Sequence, residues 1–271
     1  MWLWALLLVP VLVYAAILAL IYFAQTSLLF PVQSVGSPGP MPSAWQRLSL
    51  ETEPGHRLHG VHVPPASPGQ DRLLILAFGG NAWNAESAAA YIHVLVPTAD
   101  VIAFHYSGYP PSGGTPAAAE LQQDALAVHD LARQRFRNVK IVAMGFSIGS
   151  GVASYLAAHR PIDGAILVTP FDSLAQVAAD HYPWLPVRFL FRHRMEPAAD
   201  LQGSSVPVAL IVAGNDRLIR PARAASLAEA AGNLVFNRAI AGASHNDIYD
   251  RDAFRAAVQD ALEALGRPPE R

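Results

Sequence analysis

Residues 139–149 constrain this chain more than any other stretch. The apolar run Val139-Lys140-Ile141-Val142-Ala143-Met144 leads into Gly145-Phe146-Ser147-Ile148-Gly149, and small residues dominate 150–159. The first part reads as a buried strand and the last as a helix, so the chain must reverse through a very short turn. Such a turn puts strained backbone angles on its serine, and glycines two residues to either side leave room for the crossing backbones. The side chain of Ser147 then stands at the carboxyl end of a sheet, with a helix N-terminus behind it. Three fixed positions recur by chance in roughly one chain in ten of this length. An ordinary serine in a strand-to-helix turn is therefore the competing reading, and the rest of the chain must decide.

Candidate strands lie at 47–52, 58–63, 72–78, 100–106, 139–144, 165–169, 208–213 and 234–240. From residue 73 onward they alternate with candidate helices at 85–96, 116–136, 150–159, 222–231 and 252–265, which means a mostly parallel sheet covered on both faces. The first two strands are joined by the turn signal Glu53-Pro54-Gly55 and read as an antiparallel edge. Residues 171–205 break the alternation. They hold Tyr182, Trp184, Phe189, Leu190 and Phe191 among Arg188, Arg192, His193 and Arg194. That segment is long for a connection and aromatic for a solvent loop, so it reads as a short cap over the sheet edge; a surface helix plus loop is the plainer alternative.

At 271 residues the chain holds one large domain plus an extra segment. The extra segment is N-terminal. Residues 1–46 contain no Asp, Glu, Lys or Arg, and 2–24 are almost continuously apolar. A helix of about 22 residues is about 33 Å long, enough for a hydrocarbon core of about 30 Å. Trp2, Trp4, Tyr22 and Phe23 sit at its ends, where aromatic belts are expected, and Pro10 is tolerable inside a membrane helix. A cleaved signal peptide fits less well, because a basic n-region and a small-residue cleavage site are missing. Residues 1–30 are thus read as a retained single-pass anchor, the Pro/Gly/Ser-rich residues 31–46 as a linker, and 47–271 as the folded domain. The positive-inside rule has only the terminal amine and the distant Arg47 to read; it leaves the N-terminus inside and the domain outside the cytoplasm. A net charge of −2 without a Lys/Arg cluster argues against nucleic-acid binding, and the absence of cysteine excludes disulfides, thiolate zinc sites and a cysteine nucleophile. His59 and His62 are spaced three apart without a carboxylate partner in sequence, so no metal or other cofactor is expected.

A serine needs a base, and the base needs an orienting carboxylate. Ten histidines compete. His245, in Gly242-Ala243-Ser244-His245-Asn246-Asp247, follows the last strand and precedes the last helix, which returns it to the sheet edge that carries Ser147. Asp216, in Gly214-Asn215-Asp216-Arg217, ends the strand at 208–213 and can reach the second ring nitrogen. Asp172 is the rival acid and reads otherwise as a helix cap; Asp247 reads as a helix-start residue, and His181 and His193 as cap residues that could at most touch substrate. Two backbone donors should hold an oxyanion: the amide of Ile148 and, from Gly79-Gly80-Asn81, the amide of Asn81, with Gly80 as the alternative.

Together these segments resemble the α/β-hydrolase superfamily. The resemblance is carried by Phe78-Gly79-Gly80-Asn81, the stretch from Tyr106-Ser107-Gly108-Tyr109 to Pro116, Gly145-Phe146-Ser147-Ile148-Gly149, Pro170-Phe171-Asp172-Ser173, Gly214-Asn215-Asp216 and Ser244-His245-Asn246-Asp247. More narrowly, the chain is similar to the membrane-anchored alpha/beta hydrolase domain-containing proteins, which overlap the serine aminopeptidase (S33-type) grouping. The resemblance implies an α/β-hydrolase fold with about eight mostly parallel strands, and a serine hydrolase acting on an acyl ester, thioester or lipid-like small molecule. A non-catalytic binding protein of the same fold, or a true aminopeptidase, would be the alternatives. Two positions depart from the family pattern: Gly79 stands where histidine is usual, and Ser107 where arginine is usual.

Overall fold

A computed structural model describes residues 2–37, 39–52, 55–67 and 72–266. Glu53 and Pro54 of the expected hairpin turn, and the side chains of Trp2 and Trp4, lie outside the described residues. Among those described, eight strands form one sheet: β1 (Gln46–Glu51), β2 (Arg57–Val63), β3 (Leu73–Phe78), β4 (Asp100–Phe104), β5 (Lys140–Phe146), β6 (Gly164–Val168), β7 (Val208–Ala213) and β8 (Leu234–Ile240). Their order is β1-β2-β4-β3-β5-β6-β7-β8. The pairs β1–β2 and β2–β4 are antiparallel and all others parallel. The central strands lack polar alternation because both faces are covered. Leu74 and Leu76 point to one core while Ile75 and Ala77 point to the other.

Helices α2 (Ala85–Leu95) and α9 (Asp252–Gly266) cover one face. Helices α3 (Ala118–Arg135), α4 (Ile148–His159) and α8 (Pro221–Ala230) cover the other. Strand β5 runs two residues further than the apolar run suggested, to Phe146, because Gly145 and Phe146 still pair with Leu167 and Val168. Strand β4 stops two residues earlier, at Phe104, where the chain leaves the sheet beside the buried His105.

Residues 171–205 contain three short helices, α5 (Leu174–His181), α6 (Val187–Leu190) and α7 (Pro197–Leu201). Their middle carries exposed Tyr182, Trp184 and Phe189, whereas Met195 and Leu201 return to the buried core against α4. The N-terminal helix α1 (Trp2–Leu29) has neither acidic nor basic side chains in its sequence, and Pro10 lies inside it. It is the one helix among the described residues long and apolar enough to cross a membrane, by length and composition. Its carboxyl end is attached to the domain. Phe30 is buried against the edge of the His193 ring, with ring centres 5.0 Å apart. Gln25 donates to the carbonyl of Leu190 at 3.1 Å and accepts from the amide of Arg192 at 2.8 Å. In the stretch that follows, Val32 and Val35 pack on the α3–α4 core, and Met41 and Trp45 on the opposite one.

Candidate active site

The turn between β5 and α4 has the strain its sequence implies. Ser147 sits at φ 53° and ψ −119°, in a region where a side chain is unfavourable. Its amide is held by the carbonyl of Val168 at 2.9 Å. A Cβ at Gly145 would strike the backbone of Gly149, and one at Gly149 the carbonyl of Phe78. The glycines are thus required by backbone contact.

Ser147 Oγ lies 3.0 Å from Nε2 of His245. Nδ1 of His245 lies 2.6 Å from Oδ2 of Asp216. A carboxylate can only accept, so Nδ1 carries the proton, and the lone pair of Nε2 faces the serine hydroxyl, which donates. The other carboxylate oxygen of Asp216 accepts the amides of Leu218 and Ile219, both at 2.8 Å. Both Asp216 and His245 are buried. The two loops that carry them are tied together: the amide of Asn215 donates to the carbonyl of Ala243 at 2.8 Å, and that of Gly214 to Ile240 at 3.0 Å. The turn before the histidine uses Gly242 at φ +69°, and Asp247 Oδ1 accepts the amide of Ser244 at 2.8 Å.

Asp172 is elsewhere. It pairs with Arg223 at 3.2 Å, and Arg223 also reaches Asp180 at 3.3 Å. Burial is the main cause that raises its carboxyl above the usual range. Nor does it cap α5, as its position suggested: Ser173 is the N-cap and accepts the amide of Gln176. His181 and His193 also have partners of their own. His181 donates to the carbonyl of Leu218 at 2.7 Å, and His193 lies 2.8 Å from the hydroxyl of Thr26. His62 corrects a second expectation. It does have a carboxylate partner, Asp100 on β4 at 2.7 Å, but the register that joins β2 to β4 cannot be seen in the local sequence. His59, three residues away, points to the opposite side of the strand. No cluster of three potential metal ligands occurs among the described residues.

Residues 79–84 approach the same sheet edge. The amide of Ile148 opens α4 and so has no partner within the helix. No acceptor pairs with the amides of Ile148, Gly80 or Asn81 among the described residues. The side chain of Asn81 is fixed from both sides: it donates to the carbonyl of Leu29 and accepts from the phenol of Tyr109 at 2.6 Å. Gly79, where the family pattern has histidine, makes space for Trp83, since a Cβ there would lie 3.1 Å from the Trp83 Cβ. The carbonyl of Gly79 accepts from Tyr106 at 2.8 Å. Ser107, where arginine is usual, is buried; its hydroxyl lies 2.6 Å from His56 Nε2 and its amide donates to Asp124 at 3.0 Å. Burial raises the Asp124 carboxyl to about 6, against the opposing pull of its Ser107 bonds.

The sequence offered no signal for three further residues. Trp83, Tyr91 and Tyr249 line a cleft of about 450 Å³ whose wall also includes Ala82, Asn84 and Asn246, the residue after His245. Tyr91 donates to the carbonyl of Tyr249 at 2.7 Å. Burial pushes the Tyr249 phenol up to about 12, partly offset by its bond to Thr169. Thr169 itself sits at φ +46°, an outlier for a β-branched residue.

The α/β-hydrolase-fold family model matches residues 73–193. The uncharacterized protein Rv2307c of Mycobacterium tuberculosis is 33% identical over 249 residues, covering 87% of this chain and 85% of that protein. Lysophosphatidylserine lipase ABHD12 of Mus musculus is 32% identical over 98 residues, which are 34% of this chain and 24% of the lipase. Among solved structures, the Pyrococcus furiosus esterase Pf2001 superposes with a TM-score of 0.68 at 17% identity, covering 85% of this chain and 96% of the esterase. An alpha-beta hydrolase from Vibrio vulnificus gives 0.70 at 18%, covering 89% and 92%. With this sheet order, this turn at Ser147 and these relatives, the chain belongs to the α/β-hydrolase superfamily.

Proposed function

We propose that the protein is a serine hydrolase that cleaves an acyl ester, thioester or lipid-like substrate, held at a membrane by α1. The observation that carries this reading is the unbroken hydrogen-bond chain from Ser147 Oγ through His245 to Asp216, at 3.0 and 2.6 Å. In this reading Ser147 Oγ attacks the acyl carbonyl carbon while its proton passes to His245 Nε2. Asp216 keeps the proton on Nδ1 and stabilises the imidazolium that forms. The carbonyl oxygen becomes an anion against the amides of Ile148 and Asn81, the Gly80 amide being the alternative second donor. His245 returns its proton to the leaving group, giving an acyl-serine. A water, deprotonated by the same nitrogen, then releases the acid and restores Ser147.

The substrate class rests on the apolar surroundings. Trp83, Tyr91 and Tyr249 line the cleft that reaches Asn246, next in sequence to His245; α1 exposes apolar side chains, as do Tyr182, Trp184 and Phe189 of the cap. The similarity to a lysophosphatidylserine lipase and an esterase points the same way. Hydrolysis of p-nitrophenyl esters of increasing chain length by the detergent-solubilised full chain tests the reading. Turnover that rises from acetate toward medium acyl chains, and falls on the order of 10⁶-fold in Ser147→Ala, is expected. Equal turnover by Ser147→Ala would exclude it.

A further inference from the structure

Outside α1, six large apolar side chains stand exposed among the described residues; three of them lie within residues 182–189, and a fourth, Leu218, is tied to that segment through His181. Tyr182, Trp184 and Phe189 of the cap are 52%, 53% and 71% exposed, and Leu218, whose carbonyl accepts from His181, is 51% exposed. Singly exposed apolar residues are ordinary, but a cluster marks a contact surface. This one is continuous with α1. Tyr14 donates its hydroxyl to the carbonyl of Trp184 at 2.9 Å, and the Arg192 guanidinium lies 5.2 Å from the Tyr22 ring centre.

The Tyr14 contact sets the cap beside the apolar part of α1. From Tyr14 to Leu29, α1 runs for about 23 Å, and it is bonded to the cap near both ends of that stretch. The segment long and apolar enough to cross a membrane, Leu8–Ser34, has Tyr14 inside it. A bilayer containing α1 must therefore reach the level of Tyr14 and beyond, where the cap aromatics lie. Cationic side chains border them: Arg188 packs 4.3 Å from the Phe189 ring centre, and Arg192 and Arg194 are exposed. Tyr and Trp with neighbouring arginines is the composition of a membrane-interface belt.

We propose that the cap is itself a membrane-inserting surface. Tyr182, Trp184, Phe189 and Leu218 enter a phospholipid bilayer beside α1, with Arg188, Arg192 and Arg194 at the level of anionic headgroups. The proposal rests on the reading of α1 as a bilayer helix. It has a consequence for the candidate active site: the amide of Leu218 donates to Asp216 at 2.8 Å, so one immersed residue is bonded directly to the acid that orients His245. A bilayer-dissolved acyl substrate would then meet the site at the membrane surface.

The chain contains no cysteine, so a single introduced one carries a label uniquely. The full chain is reconstituted into phosphatidylcholine–phosphatidylserine vesicles as Phe189→Cys or Leu218→Cys, with the exposed Val94→Cys on α2 as reference, each bearing an environment-sensitive fluorophore. Labels at 189 and 218 should shift to the blue, be quenched by spin-labelled lipid and resist aqueous iodide, whereas the label at 94 should show the reverse. Labels at 189 and 218 as open to iodide as that at 94 would overturn the proposal. So would labels shielded from both quenchers, which would mean that a second copy of the chain covers the cap. Vesicle flotation after an alkaline wash reads α1 separately: retained flotation with iodide-open cap labels refutes cap insertion alone, while lost flotation refutes the anchor and the proposal with it.

Discussion

The carboxamide of Asn81 donates to the main-chain carbonyl of Leu29, the last residue of α1, and accepts from the phenol of Tyr109 at 2.6 Å. A helix leaves its last carbonyls without partners, and here a loop at the candidate active site supplies one of them. The end of the apolar helix therefore positions the segment whose amide is a proposed oxyanion donor. Asn81→Ala keeps that amide and removes both side-chain bonds. Its expected effect is a fall in kcat on the order of 10- to 100-fold with KM little changed, measured on a p-nitrophenyl ester. A change confined to KM would contradict this account of Asn81.

The two carboxylates at the ends of β6 and β7 should separate cleanly. Asp216→Asn leaves the hydrogen-bond geometry nearly intact but offers a donor where His245 Nδ1–H needs an acceptor, so kcat should fall on the order of 10⁴-fold with little loss of stability. Asp172→Asn breaks an ion pair with Arg223, and Arg223 keeps Asp180. Less than about tenfold should be lost from kcat, while removing one charge of this largely buried pair should lower stability by up to about 3 kcal/mol in urea unfolding.

Gly149 is packed against the carbonyl of Phe78. The sheet and α4 cannot separate there without moving Ser147. Gly149→Ala should cost more than about 3 kcal/mol or prevent folding, read as loss of soluble expression or of the cooperative thermal transition.

Asp124 makes stability depend on pH. Its carboxyl rises from 3.8 to about 6, chiefly because it is buried; Ser107 and His56 oppose the rise and Glu120 adds to it. A raised folded value means that the protonated form is favoured by folding. The contribution is fully present below about pH 4, falls away as pH rises through 6, and is gone above that, a difference worth up to about 3 kcal/mol. Asp124→Asn keeps an acceptor for the Ser107 amide, so it should raise Tm at pH 8 and flatten the decline in stability between pH 4 and 6. An unchanged pH profile would show that Asp124 is not the group responsible.

Much of the fold was legible because its signals are local. Strand β7 ended where its apolar run ended, β8 spans the stretch 234–240 read from the sequence, and the Gly-x-Ser-x-Gly turn carries its own steric requirement. The meeting of Ser147, Asp216 and His245 followed from parallel topology, which brings the ends of β5, β7 and β8 to one edge. What could not be read was recognition through backbone atoms. Asn81, Gln25 and Asn84 bind the carbonyls of Leu29, Leu190 and Gly36, groups that every residue possesses. The pairing of His62 with Asp100 needed the β2–β4 register, and the cleft around Trp83 and Tyr249 needed two distant loops brought together.

The central claim is that Ser147 is a nucleophile activated by His245. Fluorophosphonate labelling of the full chain, with the modified residue located by mass spectrometry, tests it most directly. A single adduct on Ser147, absent from Ser147→Ala and strongly slowed in His245→Ala, is the predicted result. A folded protein that takes no label, or one whose Ser147→Ala variant is labelled as fast as the parent, would contradict it.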